Sequence, residues 1–185
     1  MSPAAMSPAA MSAEVLLNQA ALCGFFAMML YAAWHDAASF RIPNLASLVI
    51  VALYPLHALA SPVPVHWAWA LLVAAAVFGV GLALFERGWV GGGDVKFLSA
   101  ASLWAGSALL MPFLLVTALA GGALAMGAVL LQRVRRFRTE GAGGMLAPGP
   151  IDTSQKIPYG VAIAGGGFYV GFRILMDLAA GGTSH

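Results

Sequence analysis

Residues 66–96 read HWAWALLVAAAVFGVGLALFERGWVGGGDVK. From His66 to Phe85 the run holds no Asp, Glu, Lys or Arg. Its length suits the hydrocarbon core of a bilayer, which takes about 20 residues of helix. Glu86-Arg87-Gly88 closes the run, Gly91-Gly92-Gly93-Asp94 follows, and apolar sequence resumes at Val95. The unit is a membrane helix, a glycine-rich turn at the membrane edge, and a second apolar helix that opens on a carboxylate.

The whole chain has the same character. Its 185 residues are 61% hydrophobic and 9% charged, where soluble domains carry about 25% charge. Such a chain cannot cover a globule with polar surface, and it is too apolar to stay disordered. An integral membrane protein remains, long enough for about five to seven spans of some 20 residues each.

Apolar runs at 15–34, 45–60 and 66–85 give three spans. The stretch from 95 to about 131 is too long for one span, and Gly106-Ser107 offers the break between a short fourth helix and a longer fifth. A last run covers 157–180. The expected fold is therefore all-α, a six-transmembrane-helix bundle over 15–180. Before it, 1–14 repeats MSPAA and reads as a disordered lead whose start is Met1, Met6 or Met11; 181–185 is a tail. The lead lacks the basic segment of a cleaved secretory signal.

Six spans put the loops at 35–43, 86–96 and 132–156 on one side. They hold Arg41, Arg87, Lys96, Arg133, Arg135, Arg136, Arg138 and Lys156, eight of the nine basic residues. The positive-inside rule makes that side cytoplasmic and leaves both termini on the non-cytoplasmic side. The basic cluster at 133–138 reads as an orientation determinant and anionic-lipid contact, with no nucleic-acid role. Arg173 and Asp177, four apart in the last span, are placed to pair on one helix face.

Cys23 is the only cysteine and reads as a small buried hydrophobe. There is no CxxC pair, and the four histidines show no HExxH spacing, so no metal site or cofactor is expected. Of seven acids, Glu14, Glu86, Glu140 and Asp152 have plain places in the lead, the loops and their flanks. Asp36 and Asp94 differ. Asp36 directly follows the first span and Asp94 directly precedes the fourth, both at one depth on one face. Ionisable groups there are costly and usually face an internal cavity. Taken singly, Asp94 would be a helix N-cap and Asp36 an acid bonded to the Ile42-Pro43-Asn44 turn. Together they can share a proton, one acting as base on water and the other donating to a carbonyl oxygen. The glycines can take positive φ and let a substrate strand approach the backbone.

Asp36 with Arg41-Ile42-Pro43-Asn44, the GxGD motif Gly91-Gly92-Gly93-Asp94-Val95-Lys96, and Ile157-Pro158-Tyr159-Gly160-Val161-Ala162 resemble, in this order, type IV prepilin peptidases. The chain is most similar to the compact form that serves Tad/Flp pili, over residues 15–180. The resemblance implies an intramembrane aspartic endopeptidase of the bacterial inner (cytoplasmic) membrane. It would remove the short basic leader of prepilins and pseudopilins, class III-type leader peptides, at the cytoplasmic face after a glycine. It implies Asp36 and Asp94 as the catalytic pair and Gly91 and Gly93 as motif glycines. Pro43, Asn44, Lys96, Pro158, Tyr159 and Gly160 are implied as structural support. Larger members carry a cytoplasmic domain with cysteine pairs that is associated with N-methylation. Here the loop after the first span is about nine residues without cysteine, so methyl transfer is not expected. Two other classes compete: a small proton-coupled carrier and a non-catalytic pilus-assembly subunit. A carrier's acids usually lie near the midplane on broken helices with repeated halves. Here both acids lie at one edge and no repeat is visible.

Overall fold

The structure, a computed structural model, describes residues 8–140 and 157–181. It is all helix there, with no strand among the described residues. The helices are α1 (Pro8–Ser39), α2 (Asn44–Ala60), α3 (Trp67–Glu86), α4 (Gly92–Glu140) and α5 (Tyr159–Gly181). Segments 13–39, 67–86, 92–135 and 159–180 are long and apolar enough to cross a membrane; α2 is apolar but shorter, at 17 residues.

α1 buries one stripe: Asn18, Ala21, Leu22, Phe25, Met29, Ala32 and Asp36. The spacing of three and four keeps these on a single helical face. Cys23 lies off this stripe and is exposed, which corrects the expectation that it is buried; its face is turned outward, towards lipid. The helix also extends beyond the expected bounds. It begins at Pro8, taking in part of the expected lead, and runs through His35 and Asp36 to Ser39. Polar residues at a membrane edge do not break a helix when Ala37-Ala38 continue it. The break comes at Phe40, which takes φ 53° while its N–H still reaches the Asp36 carbonyl at 2.8 Å. His35 Nδ1–H donates to the Arg41 carbonyl at 2.7 Å and Ser39 Oγ donates to the His35 carbonyl at 2.7 Å, fixing the turn. Pro43, extended at φ −64° and ψ 134°, then caps α2.

α4 is the centre of the bundle. A straight helix of its 49 residues would be far longer than a bilayer is thick, at about 1.5 Å per residue. It is interrupted at Gly106, where φ is 55° and ψ −162°. Asp94 and Leu98 before this point line the same cavity as Thr117 and Ala125 after it, so the chain folds back at Gly106, where the break was expected. The first arm is buried nearly all round, through Val95, Phe97, Ala100, Ala101, Leu103, Trp104 and Ala105. The second arm stays helical to Glu140, so the arginine cluster at 133–138 begins on a helix and not in a loop. The rest of that loop, with Asp152 and Lys156, lies outside the described residues.

Small residues bring α5 between α1 and the second arm of α4. A Cβ at Gly167 would meet Met29, one at Gly171 would meet Phe26, and one at Gly166 would meet Phe113 and Thr117. Close backbone approach of this kind is how membrane helices gain packing without a hydrophobic driving force. α3 packs on α4 with only Ala70 and Gly81 buried; most of its other residues are apolar and exposed. At the end away from Asp36 and Asp94, His57 Nδ1–H donates to Asn18 Oδ1 at 2.7 Å and the imidazole stacks on Trp104. Arg173 Nη2 lies 4.0 Å from Asp177 Oδ1, with both side chains about half exposed.

Candidate active site

One end of the bundle gathers the end of α1, the start of α2, the end of α3 and the starts of α4 and α5. Asp36 sits in the last turn of α1 on its buried stripe, only 4% exposed. Its place inside the helix, and not after it, is what carries it inward. Its Oδ2 accepts the Gly160 N–H at 2.7 Å, and the Val161 N–H also bonds to it. These amides lie in the first turn of α5, whose dipole favours negative charge, and the Val161 N–H also reaches the Pro158 carbonyl at 3.2 Å. The expected bond between Asp36 and the Ile42-Pro43-Asn44 turn is not what forms; His35 holds the preceding Arg41 carbonyl, and Asn44 Oδ1 accepts from Lys96.

Gly160 is a steric requirement of this contact. A Cβ there would lie 2.8 Å from Asp36 Oδ2 and 2.7 Å from Ile42 Cδ1. Ile42 also touches Gly93, which a Cβ would approach to 3.5 Å. One aliphatic side chain thus separates the glycine beside Asp94 from the glycine that binds Asp36. Ile42 lies within a quoted motif, but the only signal that marked it was its place before Pro43.

Asp94 is half-buried and within electrostatic reach of Asp36. It is not an N-cap, because α4 already begins at Gly92. Gly91 is the cap: its carbonyl accepts the Val95 N–H at 3.1 Å, and its own N–H bonds back to the Asp94 carboxyl. An acid at the third helical position bonding the cap amide is half of a capping box. Neither Gly91, Gly92 nor Gly93 takes positive φ; Gly88 at 73° does, together with Gly106. The motif glycines serve by lacking a Cβ. One at Gly91 would stand 2.7 Å from Asp94 Oδ2, and one at Gly92 would stand 3.3 Å from the Phe85 ring.

Of the other expected support residues, Lys96 Nζ donates to Asn44 Oδ1 at 3.1 Å, tying α4 to α2. Pro43 and Pro158 stand just before α2 and α5. Tyr159 is exposed at the rim of a cavity of about 420 Å³ that Asp94 also lines. The sequence signalled a cavity beside such an acid but not its walls, which come from α3, both arms of α4 and α5. Among the described residues no three His, Cys, Asp or Glu converge as a metal site.

Long apolar helices with a carboxyl pair at one end define a helical membrane protein with a polar site at its edge. The chain belongs to the type IV leader peptidase family, matched over residues 23–126, more than half of its length. The match includes both Asp36 and Asp94. It ends before α5, so the bond from Gly160 to Asp36 comes from the tertiary structure. Neither curated proteins nor solved structures gave a match. Family membership makes the protein a leader-peptidase-like membrane hydrolase acting on prepilin-type substrates.

Proposed function

We propose that the protein is an aspartic endopeptidase that removes the short leader of Flp-type prepilins at the cytoplasmic membrane face, cutting after a glycine. The observation that carries this reading is that Asp36 and Asp94, both within the matched family region, come from two helices that meet at Ile42, which lies against Gly93 beside Asp94 and against Gly160, whose amide binds Asp36. Two close carboxyls resist joint ionisation and hold one proton between them. One carboxylate takes a proton from water as the oxygen attacks the scissile carbonyl carbon, and the other carboxyl protonates the carbonyl oxygen. Collapse of the tetrahedral adduct breaks the C–N bond, and the leaving amine takes up a proton. The amides of Gly160 and Val161 orient Asp36 and compensate its charge, while the capping contact to Gly91 orients Asp94.

The reading includes six membrane crossings with both termini outside, the two arms of α4 counting separately and α2, at 17 residues, lying at the short end of the usual span length. The excess of Lys and Arg at the Asp36–Asp94 end supports a cytoplasmic site. The short turn between α1 and α2 leaves no room for a cysteine-bearing domain, in keeping with cleavage without methyl transfer.

The test is co-expression with a pilin that carries a basic leader, a glycine and an apolar helix. Asp36→Asn and Asp94→Asn should each lower processing by about 10²–10⁴-fold, the usual share of general acid–base catalysis, with membrane insertion unchanged. Wild-type processing by either variant would overturn the dyad.

A further inference from the structure

The cavity beside Asp94 has a composition that specifies what can enter it. Among the described residues, Asp94 is the only charged side chain in its lining; Leu84, Leu98, Gly122, Ala125 and Ile163 are among the other walls. At about 420 Å³ it falls within the usual range of small-ligand pockets, about 300–1,000 Å³. It runs from the level of Asp94 and Tyr159 inward to Leu98, Thr117 and Ile163, that is, from the membrane edge towards the apolar interior. A Lys or Arg side chain placed there would lose its hydration with only Asp94 to answer it, and Asp94 is committed to the reaction.

Resting on the peptidase reading, we infer that this cavity is the subsite for the first apolar residues on the carboxyl side of the scissile bond, and that Gly122 sets its size. The basic leader is excluded by the lining, and the apolar helix that follows the cut is the part of the substrate that matches it. Gly122 is the informative wall. Gly122 lines the cavity at an exposed position, and a Cβ there meets nothing within 4 Å, so a side chain can be added at the wall without displacing the helices. Its neighbour Gly121 is different, facing Ala162 and Tyr159 at 3.7 Å. The structure therefore keeps a glycine at 122 where packing does not demand one.

The experiment uses the full chain with a panel of leader-bearing pilins whose first two residues after the cut are Ala, Leu, Phe or Lys. Wild type is assayed first, beside Gly122→Ala, Gly122→Leu and Gly122→Phe. Wild type should cleave the Leu and Phe substrates well and the Lys substrate at least about tenfold more slowly, a difference of about 1.4 kcal/mol. Gly122→Leu and Gly122→Phe should raise KM for the Leu and Phe substrates about tenfold or more while leaving kcat and the Ala substrate close to wild type. Equal cleavage of every substrate by the whole Gly122 series would overturn the subsite, as would a uniform loss that includes the Ala substrate in a variant with wild-type thermal stability. If wild type cleaves no member of the panel, the peptidase reading itself falls. The two failures are thus told apart by the first column of the assay.

Discussion

At the scale of single residues, the two carboxyls were readable from the chain because charge is scarce in it. Asp36 and Asp94 had no surface explanation and lay at matching helix ends. Their partners were not readable in the same way. The Gly160 amide meets Asp36 across 124 residues of sequence, and no local pattern specifies such a contact. Gly160→Ala would place its methyl against Asp36 Oδ2 and Ile42. A displacement of about 1 Å in a reacting group costs on the order of 10²-fold in rate. Gly160→Ala should therefore cut prepilin processing by about that much, measured by the ratio of mature to unprocessed pilin, while the protein still inserts. Gly91→Ala should impair processing more than Gly93→Ala, since only the former crowds the Asp94 carboxyl, at 2.7 Å against an ordinary 3.5 Å contact to Ile42. The same assay with both variants decides this order.

At the scale of elements, hydropathy located the helices and placed the ends of α2, α3 and α5 to within two residues, but not those of α1 or the far end of α4. α1 and α4 both run past the polar residues expected to stop them, because a polar side chain at a membrane edge can stay helical and solvated. The stop signals that acted were backbone ones, Phe40 with its positive φ and Pro43 behind it. Gly106 is a place inside a long apolar run where sequence and backbone agree on a break. Its φ of 55° with ψ of −162° suits glycine almost alone, and strain at such a residue costs about 1–3 kcal/mol. Gly106→Ala should lower stability by that amount in thermal or denaturant unfolding in detergent. Gly122→Ala, sterically free, should be close to neutral in the same measurement. At the far end of the bundle, Asn18→Ala removes the acceptor of the buried His57 N–H. An unpaired buried donor costs about 1–3 kcal/mol. That variant should be destabilised with processing per folded molecule unchanged, because it lies away from the carboxyls.

At the scale of the whole molecule, the proposed orientation rests on the distribution of charge and can be read out directly. In a Cys23→Ala background, a cysteine at Arg87 should react with a membrane-impermeant thiol reagent only from the cytoplasmic side, and one at Ser61 only from the opposite side. Labelling of both from one side would overturn the six crossings. Exposed tryptophans mark the two edges, Trp34 and Trp89 at the carboxyl end and Trp67 and Trp69 at the other, as expected of side chains that prefer the membrane interface. The sequence by itself determined the solvent, the helical class, the fold-back glycine and the two acids, since each depends on composition or on local periodicity that a bilayer makes decisive. Only the tertiary structure decided that Asp36 lies inside α1 and is held by the first turn of α5. It also decided that Ile42 lies between Gly93 and Gly160, and that a charge-poor cavity opens beside Asp94. Those features join segments far apart in the chain, and the packing of glycine faces, which carries no periodic signature of its own, is what brings them together.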